Sequence, residues 1–202
     1  MDKTALLLMD FQVAICGPEG RLGSGSGLSD HTSQRGVLAR VAACLSAARD
    51  VHMPVLHVGV RFDPAFTNRT NRSARFAGME KNELMLEGSQ DAEFVAEAMP
   101  VGGETVVYKG CVNPFIGTVL DQRLRALGVT DLYLGGVATN FVVESAARHA
   151  GDSGYTVTVL EDLCAAYNQQ MHEFAIERTL PLFAEIATSE AFLADLRAGT
   201  PS

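Results

Sequence analysis

The sequence predicts an α/β protein: a three-layer α-β-α sandwich around a mostly parallel, six-stranded, Rossmann-like sheet. Two observations lead to this fold class. Short apolar runs, typical of strands buried on both faces, alternate along the chain with longer segments that have helical spacing. Repeated alternation of strand and helix needs crossover connections, which place helices on both sides of a parallel sheet.

Each strand of this sheet is predicted from an apolar run, and the helices lie between the runs. In chain order, the predicted strands are 4–10, 54–60, 105–109, 131–137, 156–162 and a weaker 184–188. The predicted helices are 36–50, 90–98, 116–127, 140–153 and 169–180.

Two stretches interrupt this alternation. Residues 17–33 are rich in Gly and Ser and are predicted to form a mobile loop, and residues 61–88 form a second long insertion. They follow strands one and two, so both emerge at the carboxyl edge of the sheet, where open α/β sheets bind their ligands.

Length and composition narrow the class of protein. At 202 residues the chain is predicted to be one domain, 1–202. Its net charge of -8 argues against nucleic-acid binding, and no apolar run approaches the roughly 18 residues of a membrane span. The four cysteines form no CxxC pair, which favours free thiols in the cytoplasm.

Three strand ends carry the candidate chemistry. The first strand ends in Asp10, the third ends in Lys109, and the fourth runs into the Gly-rich turn 135–142. Parallel strands bring such ends to one crevice, where a carboxylate beside an ammonium can move a proton or orient a water. The alternative interpretation is a structural ion pair at the end of the sheet.

Three longer stretches of sequence, in their order and at their distances along the chain, make this pattern more specific. They are "LLLMDFQ", "VVYKGCVNPFIGTVLDQRLRALGVTDLYLGGVATN" and "TVLEDLCAAYNQQMHEFAIERTLPLFAEIAT". With them the chain resembles the isochorismatase-like hydrolase superfamily over almost its whole length. The resemblance implies a hydrolase that needs no cofactor, acts on a small molecule and forms a homodimer or homotetramer.

The resemblance also assigns site residues. Most members are cysteine hydrolases of small amides with the pattern "GVATNxCVEST", assisted by an aspartate and a lysine that correspond here to Asp10 and Lys109. A cis peptide would fall at Val137–Ala138, and backbone N–H groups from there to Phe141 and Val142 would hold the oxyanion. The cysteine position itself falls on Val142, which cannot act as a nucleophile.

Three interpretations of that departure stay open. Isochorismatases lack the cysteine and hydrolyse a vinyl ether, so Asp10 could serve as general acid without a covalent step. Amide C–N hydrolysis could instead use an activated water or a thiol at Cys111, two residues beyond Lys109, although Cys111 could equally be a core residue. The third interpretation is an inactive homologue that binds small molecules or serves in protein interactions.

Further residues near the strand ends are candidates for substrate binding. They are Phe11, Gln12, Arg61, Phe115 and Asn140. The insertion contributes a local excess of positive charge through Arg61, Arg69, Arg72, Arg75 and Lys81 against Asp63 and Glu80. Because arginine forks bind carboxylates, we expect a small polar or anionic substrate; the alternative is a solvated loop or subunit contact.

Neither a metal site nor a nucleotide site is predicted. The five histidines are scattered, and no Asp-x-His pair follows the second strand. The "GSGSG" run at 23–27 does not open a helix directly after a strand, so it fails the dinucleotide pattern.

Overall fold

A six-stranded, all-parallel sheet forms the centre of the molecule, in the order β3-β2-β1-β4-β5-β6. The computed structural model describes residues 3–199. The strands are β1 (Thr4–Met9), β2 (Val55–Val60), β3 (Thr105–Lys109), β4 (Asp131–Val137), β5 (Thr156–Ala165) and β6 (Glu185–Ala187). All six predicted strands are present, and the predicted fold class is confirmed.

Helices flank the sheet. They are α1 (Val13–Cys16), α2 (Leu28–Gln34), α3 (Val37–Asp50), α4 (Ala74–Lys81), α5 (Leu120–Ala126), α6 (Glu144–Asp152), α7 (Gln169–Phe174) and α8 (Ser189–Ala198). Short 3-10 helices occur at Gln90–Ala92, Ala96–Ala98 and Leu180–Leu182, and π-helical turns at Thr139–Val143 and Ala175–Thr179. No helix within residues 3–199 is long and apolar enough to cross a membrane.

The central strand β1 shows why the strands are continuously apolar. Successive side chains of a strand point to opposite faces of the sheet. Leu6 and Leu8 pack into the core on one face, with residues of α3 and α8, while Leu7 and Met9 pack on the other, with residues of α5 and α6. Since both faces are covered, every residue of β1 is buried.

The helix predicted over 90–98 is wrong. Two 3-10 turns stand there, because the backbone between them pairs with the segment after β1 instead of with itself. The Val13 N–H donates to the Glu93 carbonyl at 2.8 Å, and the Val95 N–H donates to the Phe11 carbonyl at 3.0 Å. These bonds hold the backbone of residues 93–95 away from a helical course.

Other boundaries also differ from the prediction. The helix predicted over 116–127 begins only at Leu120, whose N–H the Thr118 hydroxyl accepts at 3.2 Å, and Gly117 has a left-handed φ of 68°. Helix α8 was not predicted. The loop predicted over 17–33 contains all of α2 except its last residue, Gln34, and the 61–88 insertion contains α4.

The insertion is fastened to the end of β3 at Gly110. The Thr70 N–H donates to the Gly110 carbonyl at 3.3 Å, and a Cβ on Gly110 would lie 1.8 Å from the Asn68 carbonyl oxygen. Only glycine lets the two backbones approach so closely. Residue 110 follows Lys109 directly, so the insertion is held against the strand end that carries that lysine.

Candidate active site

A buried ion pair joins the ends of β1 and β3. Lys109 Nζ lies 2.8 Å from Asp10 Oδ2, and both side chains are at least nine-tenths buried. Asp10 follows the last residue of β1 and has a φ of 63°, in the left-handed region that non-glycine residues seldom adopt. Its own N–H donates to the Val58 carbonyl at 2.8 Å, so the neighbouring strand fixes the backbone there.

The two members of this pair differ in how many of their polar atoms have hydrogen-bond partners. Lys109 donates a second hydrogen bond to the Val112 carbonyl at 2.9 Å. Asp10 Oδ1, by contrast, is buried and has no hydrogen-bond partner among the described residues. A buried oxygen without a partner carries a desolvation cost, so it is available to a proton, a water or a substrate group.

Burial raises the pKa of Asp10, although the charge and hydrogen bond of Lys109 and the more distant charge of Arg75 act to lower it. A carboxyl with a raised pKa holds its proton closer to neutral pH than an exposed aspartate does. Asp10 is thereby suited both to give up a proton and to take one back during a reaction.

Asp10 and Lys109 line a cavity of about 430 Å³, its open mouth included. The other lining residues are mostly apolar and come from the segment after β1, the end of β2, the insertion, and the segments after β3, β4 and β5. They are Ile15, Leu22, Leu28, Val60, Arg75, Phe76, Met79, Val112, Val137, Ala138, Phe141, Val142 and Tyr167. An apolar wall excludes water, and the lower dielectric constant strengthens the electrostatic interactions of the charged groups opposite it.

The turn after β4 forms one wall of this cavity. The Val137–Ala138 peptide is cis, at the bond that the sequence resemblance implied. Val142 is buried in this wall. The position where the resemblance implies a cysteine therefore lines the same cavity as Asp10 and Lys109. The oxyanion role expected for Phe141 is not supported, because its N–H donates to the Ala138 carbonyl at 3.1 Å. Phe141 lines the cavity nonetheless.

A polar network that sequence reasoning missed supports this turn from behind. The Thr139 hydroxyl is hydrogen-bonded to Nδ1 of His172 at 2.8 Å, and Nε2 of His172 lies 3.4 Å from Glu161. Arg35 pairs with the same Glu161 carboxylate at 2.6 Å. From the sequence, His172 was expected only to lie near the start of a helix. In the structure Asn168 caps this helix, α7, and His172 is its buried residue.

Three predicted binding residues belong to the core instead. Both polar atoms of the Gln12 amide are used by backbone: Nε2 donates to the Val60 and Ala92 carbonyls at 2.8 Å each, and Oε1 accepts from the Val60 N–H at 2.7 Å. Phe11 is buried in the core on the α3 side of the sheet. Phe115 stacks on His149 with ring centroids 4.6 Å apart. None of the three lines the cavity.

Arg61, Asn140 and Cys111 also lie outside the cavity lining. Arg61 stacks on Tyr108 at 3.6 Å from the ring centroid and pairs with Glu87 at 3.2 Å, so its charge is already engaged. Cys111 is buried, and its thiol donates to the Asn113 and Ile116 carbonyls at 3.3 and 3.6 Å. The Cys111 thiol is therefore not among the groups that line the cavity of Asp10 and Lys109.

Of the basic residues of the insertion, the structure brings Arg75 to the cavity. The sequence analysis had named Arg61 from this basic cluster as the candidate for substrate binding. Within the part of the chain that the structure describes, no group of three His, Cys, Asp or Glu side chains is arranged to hold a metal ion.

Comparisons with known proteins identify the family of this chain. The Isochorismatase domain family model matches residues 4–191. The ureidoacrylate amidohydrolase RutB of Methylobacterium radiotolerans is 32% identical over 98% of this chain and 81% of its own length, and that of Variovorax paradoxus is 30% identical over 79% and 67%.

A solved structure shows the same likeness in three dimensions. The isochorismatase family protein from Desulfovibrio vulgaris has a TM-score of 0.82 at 28% identity, covering 97% of this chain and 98% of that one. The family model, the sequence relatives and this solved structure thus agree, and the chain belongs to the isochorismatase family of hydrolases.

Proposed function

We propose that this protein hydrolyses a small polar substrate by acid–base chemistry at Asp10, assisted by Lys109, with water as the attacking group and without a covalent intermediate. The observation that carries the proposal is the state of the Asp10 carboxyl. One oxygen is held by Lys109 at 2.8 Å, while the other, Oδ1, has no partner among the described residues and belongs to a residue that lines the cavity.

Each member of the pair has a separate role. Asp10 Oδ1 takes a proton from water as the water oxygen attacks the substrate carbonyl, and then passes that proton to the leaving nitrogen. Lys109 keeps its proton, holds the carboxyl in place through Oδ2 and compensates its charge. The C–N bond breaks with one water consumed, and Asp10 returns to its starting state.

The choice of water over a thiol rests on what surrounds the cavity. Val142 has no nucleophilic atom, and no cysteine is among the residues that line the cavity. Burial raises the pKa of Cys16 and of Cys164, and it raises that of Cys44, so none of them is an activated thiolate. Cys111 donates its S–H to backbone carbonyls.

A C–N bond is the favoured target because both curated relatives named above are amidohydrolases. A vinyl ether is the second candidate, favoured by the raised pKa of Asp10. There the carboxyl would protonate the enol-ether carbon, water would add to the resulting oxocarbenium ion and return a proton to Asp10, and the hemiketal would collapse.

The test is a panel of candidate substrates: ureido acids, N-acyl amino acids and carboxylated vinyl ethers. NMR monitors their hydrolysis by the wild type, Asp10→Asn and Cys111→Ala. We expect the asparagine variant to lose about 100-fold or more in rate, the usual loss when a general acid–base is removed. Cys111→Ala is the matched control and should retain the wild-type rate. Circular dichroism would verify that both variants fold.

Hydroxylamine added during turnover separates the mechanisms. A covalent acyl intermediate would be captured as a hydroxamate, whereas direct attack by water gives none. Hydroxamate formation that disappears in Cys111→Ala would refute the proposal and establish the relocated thiol. Equal rates for the wild type and Asp10→Asn would also refute it.

A further inference from the structure

We propose that the Tyr167 hydroxyl is a catalytic hydrogen-bond donor, and that it binds the substrate oxygen on which negative charge develops when water attacks. This inference rests on the proposed function, since it adds a third group to the chemistry of Asp10 and Lys109. Such a donor is needed because the turn after β4 offers less than the sequence implied: the Phe141 N–H is already donated to the Ala138 carbonyl.

Tyr167 lies at the same edge of the sheet as the acid–base pair. It follows the last residue of β5, Ala165, by two positions, and it lines the cavity together with Asp10 and Lys109. Parallel strands direct their carboxyl ends to one side of a sheet. The segments at the ends of β1, β3 and β5 thus each contribute a polar side chain to one cavity.

The Tyr167 hydroxyl is free to bind a substrate. The residue is half-buried, and within residues 3–199 its hydroxyl has no hydrogen-bond partner. Lys109, by comparison, already donates to Asp10 and to the Val112 carbonyl. A tyrosine O–H usually finds a partner when it is buried, so an unpartnered one beside a cavity indicates that the partner is a ligand.

Contacts on the ring and on the backbone hold this hydroxyl in place. The Tyr167 ring meets the Phe141 ring edge to face, with centroids 5.7 Å apart and planes at 72°. The guanidinium carbon of Arg75 lies 5.5 Å from the same centroid, within the range of about 6 Å over which a ring attracts a cation. A Cβ on Gly27 would lie 2.5 Å from the Tyr167 carbonyl oxygen, so the loop after β1 packs directly against its backbone. A donor held in this way needs little reorganisation when charge develops.

The electrostatic surroundings favour the donor role. Burial raises the pKa of Tyr167, although the charge of Arg75 acts to lower it, so the phenol keeps at neutral pH the proton that it has to donate. The same charge acts to lower the pKa of Asp10. The phenol and the carboxyl therefore share one neighbouring cation, which would also stabilise negative charge on an oxygen bound at the phenol.

The experiment uses the compound of the panel above that is hydrolysed fastest. Tyr167→Phe keeps the ring and removes only the hydroxyl. We expect kcat to fall about 100-fold, the usual loss when one oxyanion donor is removed, with little change in KM. Tyr108→Phe is the matched control: Tyr108 is also half-buried and stacks on an arginine, at 3.6 Å from Arg61, but it does not line the cavity. This variant should retain the wild-type kcat.

Replacement of Tyr167 by 3-fluorotyrosine distinguishes a donor from a packing residue. Fluorine makes the phenol more acidic and leaves the ring in place, so kcat at neutral pH should equal or exceed that of the wild type. Activity should be lost at high pH as the phenol ionises, and this loss should move to lower pH in the fluorinated protein. A residue that only packs would show no such movement.

The variant Asp10→Asn, measured in parallel, separates this inference from the proposed function. Equal kcat for Tyr167→Phe and Tyr108→Phe, with Asp10→Asn still slow, would overturn the donor role alone. A higher KM for Tyr167→Phe without a lower kcat would do the same, because the hydroxyl would then bind substrate and transition state equally. If no compound is hydrolysed, or if Asp10→Asn is fully active, the proposed function fails and the donor role fails with it.

Discussion

The Thr139 hydroxyl and Nδ1 of His172 are hydrogen-bonded at 2.8 Å; both residues are buried, and Thr139 is the first residue of the turn that follows the cis peptide. No side chain caps the π-helical segment Thr139–Val143. The histidine therefore provides a side-chain anchor for this turn, and its other nitrogen connects the turn to Glu161.

Replacement of His172 tests this anchor. His172→Ala should destabilise the fold by about 2–3 kcal/mol, because it removes packing and leaves the buried Thr139 hydroxyl without its partner. It should also lower kcat more than it changes KM, since the turn forms the cavity wall. Urea unfolding and steady-state kinetics measure the two effects.

Two conservative variants separate the two ends of the imidazole. Asn at position 172 can reach Thr139 in the manner of Nδ1, whereas Gln reaches toward Glu161 in the manner of Nε2. If Thr139 is the contact that matters, His172→Asn recovers kcat and His172→Gln does not. Equal recovery by both variants would contradict the anchoring role.

Glu104, which does not line the cavity, predicts how the stability of the fold depends on pH. Burial acts to raise its pKa, but hydrogen bonds from Arg49, the Val101 N–H and His57 overcome this and lower the pKa to about 2. The folded pKa is below the ordinary value of 4.5. The stabilisation is therefore complete above about pH 4.5 and is lost as the pH falls toward 2.

Glu104→Gln should accordingly cost about 1–3 kcal/mol at pH 7, and the difference from the wild type should shrink between about pH 5 and pH 2. Urea unfolding over a pH series measures it. Glu80→Gln is the control, because Glu80 pairs with Arg69 but is itself 44% exposed and should have little effect. A constant difference at all pH values would contradict the assignment.

A thiol at position 142 would test the meaning of Val142. Val142→Cys introduces a thiol into the wall of the Asp10–Lys109 cavity. We expect it to be alkylated by iodoacetamide faster than any native cysteine and to produce a hydroxylamine-trappable intermediate during C–N hydrolysis. Val142→Ala, which enlarges the cavity without a thiol, is the control. If neither reactivity nor trapping appears, position 142 is not a nucleophile position in this fold.

The native thiols should be inert in the folded protein. Burial raises the pKa of Cys44 and of Cys164 to about 12 each, so at pH 8 only about one ten-thousandth of either is thiolate. Cys111 is buried and donates to two carbonyls. Mass spectrometry after alkylation should find all four cysteines unlabelled until urea unfolds the chain. Early labelling of Cys111 would reopen the relocated-thiol mechanism.

The strands and the positions of Asp10 and Lys109 were predictable, because buried strands appear in the sequence as apolar runs and the two charged residues stand where such runs end. The apolar runs gave all six strands, and their ends gave Asp10 and Lys109. The alternation of faces within β1 could not be extended beyond Met9, since Asp10 takes a positive φ. Phe11 and Gln12 consequently enter the core and the backbone network, although they are adjacent to the site in sequence.

Charge is visible in a sequence, but the partners of a charge are not. Arg61 and Arg75 belong to the same basic cluster, and Arg61 was the member predicted to bind substrate. In the fold, Arg61 pairs with Glu87 and stacks on Tyr108, while Arg75 lines the cavity. The network of His172 was missed for the same reason, since Glu161 and Thr139 are brought to it only by the packing of α7.

The attachment of the insertion at Gly110 has a consequence for how such enzymes diversify. The proposed catalytic pair comes from the sheet, whereas Arg75 comes from a segment that the sheet merely anchors. Substitutions at Arg75, Phe76 or Met79 of α4 therefore change one wall of the cavity without altering the strands that carry Asp10 and Lys109.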